Sequence, residues 1–321
     1  MLRSWLRIAR IHTANLSQAA VIIGLLLAGE YNTTLIILFA LWATVYHGSG
    51  FMQNNLMDYQ YDLKDSAKQH FPLVTGEISM SIAFFVTYSL MALCFIVGLF
   101  LSNGRPLSIL FLISAFFFGT LYNMQSKKSL LSPLYISVAF TSLLLFAYFS
   151  VAGGMSVLML LVALYAFFML MFQISVEGYT KDLETDPVNL LRWLGCDCGL
   201  GKIRITGRAK VYAWMMRVPT YLLAFGIWYY SKSDIFSLAL ICLLIPMTSK
   251  TVWKLLESGD YDNKKTVRYC AVIEILTYWI LVLALQGAIG WIWTIVLVVY
   301  PILWFLMLNQ ITWKTWVRPA V

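Results

Sequence analysis

Residues 156–178 read SVLMLLVALYAFFMLMFQISVEG, and the next eight, 179–186, read YTKDLETD. No charged residue falls between Ser156 and Glu177. A helix of roughly 20 apolar residues crosses the hydrocarbon core of a bilayer, so the stretch reads as a transmembrane span. Its apolar residues are consecutive and do not alternate, which selects a helix over a barrel strand. The span ends in clustered acids: Glu177, Asp182, Glu184 and Asp186.

Comparable apolar stretches recur along the chain. With 156–178 they lie near 13–30, 33–56, 79–102, 106–123, 131–152, 210–231, 235–255, 267–287 and 289–309. The last two are joined so tightly, at 286–290, that they read either as two spans or as one span with an interfacial helix. The expected fold is therefore all-α, a polytopic transmembrane helical bundle of nine or ten spans, with residues 1–321 as a single domain. Composition agrees: of 321 residues 60% are apolar and 12% charged, far from the balance of a soluble domain.

The net charge of +8 does not point to nucleic acid, because the basic residues sit in short loops. With the N-terminus inside, Lys64, Lys68, Lys127, Lys128, Lys181, Arg192, Lys202, Arg204, Arg208, Lys210, Lys264, Lys265 and Arg268 fall on the cytoplasmic side, and a ten-span count adds Lys314 and Arg318. Only Arg105 and Lys232 fall outside. This asymmetry sets the expected orientation and makes an integral membrane protein with cytoplasmic loops the expectation, in the inner or plasma membrane if the source is bacterial. The opening MLRSWLRIARIH is basic and amphipathic, without a small-residue cleavage site. Five cysteines, Cys94, Cys196, Cys198, Cys242 and Cys270, imply no disulfide framework, and Cys196-x-Cys198 supplies too few ligands for a zinc site.

Two inside loops are long, roughly 57–78 and 179–209, and each follows a span ending in acids. The first cluster reads Asn54-Asn55-Leu-Met-Asp58-Tyr-Gln-Tyr-Asp62-Leu-Lys64-Asp65. Asn54, Asp58 and Asp62 are four apart, so a helix places them on one face. Asp182 and Asp186 repeat that step. The two segments hold seven of the fifteen acidic residues. Carboxylates one helical turn apart repel each other, and near a membrane they are poorly screened; a hard divalent cation relieves this. Mg²⁺ is usually held by one or two carboxylates together with substrate phosphates, so two acid ladders facing one cavity suit a Mg²⁺-bridged diphosphate. The plainer alternative is that such acids only end a helix in water. The echo between the two halves also fits a lipid transporter or carrier, although these acids lie at span ends and not at mid-membrane.

Asn54-x-x-x-Asp58-x-x-x-Asp62 ending the second span, with Asp182-x-x-x-Asp186 ending the sixth, resembles the UbiA-type membrane prenyltransferases. Lys68-Gln-His70-Phe-Pro72-Leu-Val-Thr-Gly76-Glu-Ile-Ser79 resembles that family's basic–Pro–Leu–x–x–Gly–x–Ile–Ser stretch. Gly119-Thr-Leu-Tyr122-Asn with Lys127 and Lys128, and Tyr179…Lys181-Asp182, resemble its ends of spans four and six. The resemblance covers about residues 5–290. Asn55 stands where many members have Asp, Gly178 where some have an extra Asp, and a tenth span exceeds the usual nine.

The resemblance implies transfer of a prenyl group from a prenyl diphosphate to a lipophilic or aromatic acceptor, by default a quinone precursor. Mg²⁺ would be held by Asp58, Asp62, Asp182 and Asp186, with Asn54 completing the shell. It implies substrate-binding roles for Lys68, Tyr122, Lys127, Lys128, Tyr179 and Lys181, and phosphate contact by Arg7 or Arg10. His47, seven residues before Asn54 on about the same face, is expected either to orient an acceptor or to be a hydrogen-bonded structural residue. Intramolecular cyclisation and phosphoribosyl transfer are the same-fold alternatives. Expected partners are the two substrates and membrane lipids, with no nucleic acid, and the chain is expected to act as a monomer. Arg217 and Glu274, inside apolar spans, are expected to face a cavity or each other.

Overall fold

Capping residues and prolines set the helix boundaries along the chain. In the computed structural model, which describes residues 1–64, 68–184, 186–199 and 201–313, Asn32 accepts from the backbone N–H groups of Thr34 and Leu35, satisfying donors that a helix start leaves open. Ser79, Ser156, Thr206, Asp234 and Asp262 cap later helices in the same way, and Pro106 occupies a helix's first turn, where its missing N–H costs nothing.

The helices are α1 (Leu2–Ile8), α2 (Asn15–Leu27), α3 (Thr33–Asp62), α4 (Met80–Leu101), α5 (Pro106–Gln125), α6 (Ser132–Phe149), α7 (Val157–Phe172), α8 (Tyr179–Lys181), α9 (Leu190–Trp193), α10 (Gly207–Ser231), α11 (Ile235–Leu255), α12 (Asn263–Ala284) and α13 (Gln286–Trp313). A π-helical turn, Gln173–Gly178, joins α7 to α8. Among the described residues eight helical segments are long and apolar enough to cross a membrane, and the bent pair α1–α2 makes nine. The ten stretches expected from the sequence each coincide with a helix. The helix α10 has 25 residues but carries Arg208, Lys210 and Arg217, which lowers its hydropathy below that of the other spans.

The last two stretches are two helices, α12 and α13, joined at Leu285, with a kink at Gly290 (φ 77°, ψ 161°). Three short strands, β1 (Asp197–Gly199), β2 (Lys202–Arg204) and β3 (Gly259–Asp260), form an antiparallel sheet in the order β1-β2-β3. This sheet clips the loop after α9 to the loop after α11.

The buried core runs through α2, α6, α7 and α12. Two-thirds of the apolar window of α6 is buried, against about a sixth for α4 and α13, so the latter present their apolar faces outward, as lipid-facing helices do. At the centre, α2 and α6 approach so closely that a Cβ on Gly24 would lie 2.5 Å from the carbonyl oxygen of Leu144. Only glycine permits that approach. This crossing packs the first span, α2, against the fifth, α6.

Candidate active site

Helix α3 continues through the whole first motif and ends at Asp62, so Asn54, Asp58 and Asp62 lie along one helical face, as their spacing requires. Asp58 and Asp62 are buried at 8% and 4% exposure, an unusual state for carboxylates that lack compensation. Asp62 accepts from Lys68 Nζ at 2.7 Å. Asp58 accepts from Ser126 Oγ at 3.5 Å. Asn54 is half-buried. Asp65, quoted in the first cluster, lies outside the described residues, as do Lys314 and Arg318.

The second motif is built differently from the helical ladder its spacing suggests. The helix stops at Lys181, and Asp182 has left it (φ −104°, ψ 19°). Asp186 precedes Pro187, and a residue before proline is driven out of the helical region. The two aspartates stay one turn apart because Asp186 N–H donates to the Asp182 carbonyl at 2.9 Å. The segment is then pinned from behind. Asn189 Nδ2 donates to the Tyr179 carbonyl at 2.9 Å, and Arg192 donates to the Leu183 carbonyl. Asp182 is exposed and Asp186 buried.

The segment after α5 brings the two motifs together. Ser126 reaches Asp58 of the first, and Lys127 forms an ion pair with Asp186 of the second. Burial works against the Lys127 ammonium, but the Asp186 carboxylate outweighs it, so the lysine's pKa lies above its ordinary value. Lys127 also feels Asp58 and Asp182. The Tyr122 phenol lies within electrostatic reach of Asp58, Tyr179, Arg10 and Asp186. Tyr179 shares a hydrogen bond with Ser132 at 3.0 Å. Lys181 is surrounded by Glu274, Asp182 and Glu177, while Lys128 is exposed and forms no ion pair among the described residues.

Arg10 sits in the break between α1 and α2 in the left-handed conformation (φ 43°, ψ 42°), which is uncommon for a side chain of this size. Its guanidinium acts on Asp62, Asp58 and Asp182 together. Arg7 does not join them; its Nε donates to the Thr312 carbonyl at 3.1 Å and its guanidinium lies over Trp313. His47 has both ring nitrogens engaged, with Thr13 Oγ1 and Ser17 Oγ, each at 3.1 Å. That is the hydrogen-bonded structural arrangement, and it ties α3 to the start of α2.

A family model described as the UbiA prenyltransferase family matches residues 18–268. The chain belongs to the UbiA prenyltransferase family. No curated protein matches it. Among solved structures, a digeranylgeranylglyceryl phosphate synthase is 18% identical with a TM-score of 0.67, covering 90% of this chain and 98% of its own. A UbiA homolog from Aeropyrum pernix K1 is 16% identical with a TM-score of 0.64, covering 86% and 97%. A UbiA homolog from Archaeoglobus fulgidus bound to GPP and Mg²⁺ is 16% identical with a TM-score of 0.60, covering 87% and 99%. At these identities the likeness is one of fold, and it is the fold of a helical membrane bundle.

Of the three departures from the UbiA pattern, the structure gives the one at Asn55 a role. Asn55 donates through Nδ2 to the Ile8 carbonyl at 2.7 Å. A carboxylate has no donor for that carbonyl, so Asn55 anchors α1 to α3. Gly178 closes the π-helical turn, a feature frequent at functional sites.

Among the described residues no three acids, histidines or cysteines converge to form a metal site by themselves. The donor set nevertheless fits Mg²⁺. All four acids of the two motifs are carboxylates, Mg²⁺ takes only one or two of these plus phosphate oxygens, and among the described residues buried Asp58 has one long hydrogen bond, with the charges of Lys127, Lys68 and Arg10 acting on it from further away.

Sequence reading missed Ser126, Ser132 and Tyr261, whose hydroxyl donates to the Lys181 carbonyl at 2.8 Å. Ser126 had one signal, its position beside Lys127-Lys128. Tyr261 had none, since 80 residues separate it from its partner.

Proposed function

We propose that this UbiA-family protein transfers a prenyl group from a prenyl diphosphate to an aromatic quinone precursor. The observation that carries the reading is the bridge from Ser126 and Lys127 to Asp58 and Asp186, which draws two motifs more than a hundred residues apart around one charged centre. Membership of the family supports the reaction class; the quinone precursor follows family precedent.

In this reading Asp58, Asp62, Asp182 and Asp186 hold Mg²⁺, with Asn54 beside them. When bound, Mg²⁺ offsets the negative charge that develops on the departing diphosphate. Lys68, Lys127 and Arg10 present N–H donors to the phosphate oxygens, with exposed Lys128 at the rim and half-buried Lys181 beside Asp182. The carbon–oxygen bond to the diphosphate breaks with its electron pair leaving on oxygen, a ring carbon of the acceptor bonds to the electron-poor allylic carbon, and that ring carbon then releases its proton to solvent. Donors fixed in place before the reaction stabilise that charge better than water does. Tyr122 and Tyr179 line the approach to both motifs. The lysine and arginine asymmetry supports a cytoplasmic position for this end of the bundle and for the N-terminus.

The test is diphosphate release by purified protein supplied with Mg²⁺, a prenyl diphosphate and aromatic acceptors. Asp58→Ala and Asp182→Ala are expected to abolish release while the protein still inserts and folds. Turnover like that of the wild type in both variants would reject the assignment.

A further inference from the structure

Helices α10 and α11 each present one outward face that is apolar along its length and basic at the end of the bundle where the acidic motifs lie. On α10, Arg208, Val211, Met215, Val218 and Leu222 step by three and four residues, so they share a face, and all are exposed. On α11, Leu243, Met247, Lys250 and Lys254 do the same. In a membrane-spanning bundle such faces meet lipid tails, and their basic ends extend into the headgroup layer.

The two basic ends are joined. Lys210 Nζ lies over the Trp253 ring at 5.5 Å, and one turn deeper on α11 Ser249 Oγ donates to Tyr221 Oη of α10 at 3.1 Å. Arg208 and Lys210 from one helix and Lys250 and Lys254 from the other therefore flank one exposed tryptophan. None of the four makes an ion pair at bonding distance among the described residues. The first turn of α10 contains no acid, although cations at the start of a helix oppose its dipole. The nearest acid in sequence is Glu257, past the end of α11.

Membrane orientation alone does not call for this arrangement. It needs lysines and arginines in the loops, whereas these four lie within the helices, Lys250 well before Leu255, where α11 ends. The lipid-facing α4 contains no lysine or arginine at all.

We infer that this face of α10 and α11 is a binding site for one anionic phospholipid, its phosphate among Lys210, Lys250 and Lys254 and its tails along the apolar faces below. Charge complementarity selects the occupant. A zwitterionic lipid brings a cation of its own to four unpaired bases, and a second copy of this chain would bring the same four cations; both are repelled. Trp253 suits the headgroup level, with an apolar ring and a polar N–H. Basic pockets between spans at this depth recognise anionic headgroups. The site does not depend on which group the acidic motifs transfer.

The experiment records native mass spectra of the full chain released from nanodiscs that hold equal amounts of dioleoylphosphatidylglycerol and dioleoylphosphatidylcholine. The wild type is expected to retain one copy of phosphatidylglycerol in preference to phosphatidylcholine by at least about fivefold. Lys210→Gln combined with Lys250→Gln is expected to bring the two lipids to parity. Lys202→Gln combined with Lys264→Gln removes the same charge from β2 and the start of α12, and is expected to leave the preference intact. Retained phosphatidylcholine is expected to be the same in all three proteins, which shows that the variants fold. Equal retention of the two lipids by the wild type overturns the inference. So does an equal loss in both variant pairs, which would assign the preference to the diffuse field of the basic end. Displacement of the retained lipid by millimolar glycerol 1-phosphate would mark a phosphate site without tails and overturn the lipid assignment.

Discussion

Lys127, two residues past the end of α5, is ion-paired with Asp186 of the second motif, and its neighbour Ser126 donates to Asp58 of the first. Both partners of the pair are largely buried, with side chains 17% and 9% exposed. Removing one partner of such a pair strands the other charge, which costs more than the pair itself contributes. Lys127→Met is therefore expected to lower stability by about 2 kcal/mol, read as a fall in thermal midpoint, and to slow turnover by roughly 100-fold. Lys127→Arg, which keeps the charge, is expected to recover most of the stability. A Lys127→Met protein with unchanged melting and turnover would show that the bridge does not join the two motifs.

Tyr261 supports the second motif from the loop after β3, where its hydroxyl donates to the Lys181 carbonyl, one residue before Asp182. The bond requires a protonated phenol. Burial, reinforced by Cys198, Asp182 and Glu184 nearby, pushes the Tyr261 pKa up to about 12. A phenol whose folded pKa exceeds its unfolded value of about 10 contributes stability that is complete below pH 10 and is lost as pH rises towards 12. Tyr261→Phe is expected to unfold more readily than the wild type at pH 7 to 9, and the gap is expected to close between pH 10 and 12. Melting curves across that range check it; a constant gap through pH 12 would contradict the assignment.

The bundle was legible because its spans are unbroken apolar runs, which only a helix can carry across lipid. Asn54, Asp58 and Asp62 were legible as one face because α3 stays regular to its end. Asp182 and Asp186 were legible as a cluster but not in geometry. The π-helical turn at Gln173–Gly178 shifts the phase before Asp182, and the helix stops at Lys181, one residue short of it, and neither effect follows from a four-residue spacing. The 50° bend between α1 and α2 turns on Arg10 in a left-handed conformation, which no glycine announces. Ser126 and Tyr261 meet partners 68 and 80 residues away, a closeness created by helix packing alone. The strands β1–β3 are two or three residues long, too short for an alternating pattern.

Asn55 offers a test of whether a departure from the family pattern is structural. Its Nδ2 is buried against the Ile8 carbonyl. Asn55→Asp would set a carboxylate against that carbonyl with no donor between them, at a cost of about 2 kcal/mol. The expected outcome is earlier proteolysis of the first ten residues and a lower melting temperature, without tighter Mg²⁺ binding. Mg²⁺ binding strengthened in the variant would instead make position 55 a metal-ligand position that this chain has given up.

Arg217 poses the opposite problem, a full charge at 1% exposure within the apolar body of α10. It forms no ion pair at bonding distance among the described residues. Its guanidinium is held by Tyr221 Oη at 3.1 Å and by Thr277 Oγ1, and it lies over the rings of Phe172 and Tyr221 at 5.2 and 5.0 Å. The compensating charge is more distant: Glu177 in the π-helical turn, itself 1% exposed, lies against Glu274 of α12, and a hydrogen bond between two carboxyls holds a proton, so the pair carries a single negative charge. The arginine and this pair are therefore expected to be energetically coupled. Arg217→Met alone is expected to destabilise by about 3 kcal/mol, because it leaves the buried acids without their counter-charge. Glu177→Gln alone keeps the single charge and is expected to be nearly neutral, whereas Glu177→Gln with Glu274→Gln is expected to be clearly destabilising in the wild type and nearly neutral once Arg217 is gone, a coupling of about 1 kcal/mol in a mutant cycle. Additive effects of removing the arginine and the acid pair would mean that the rings and hydroxyls alone hold the arginine.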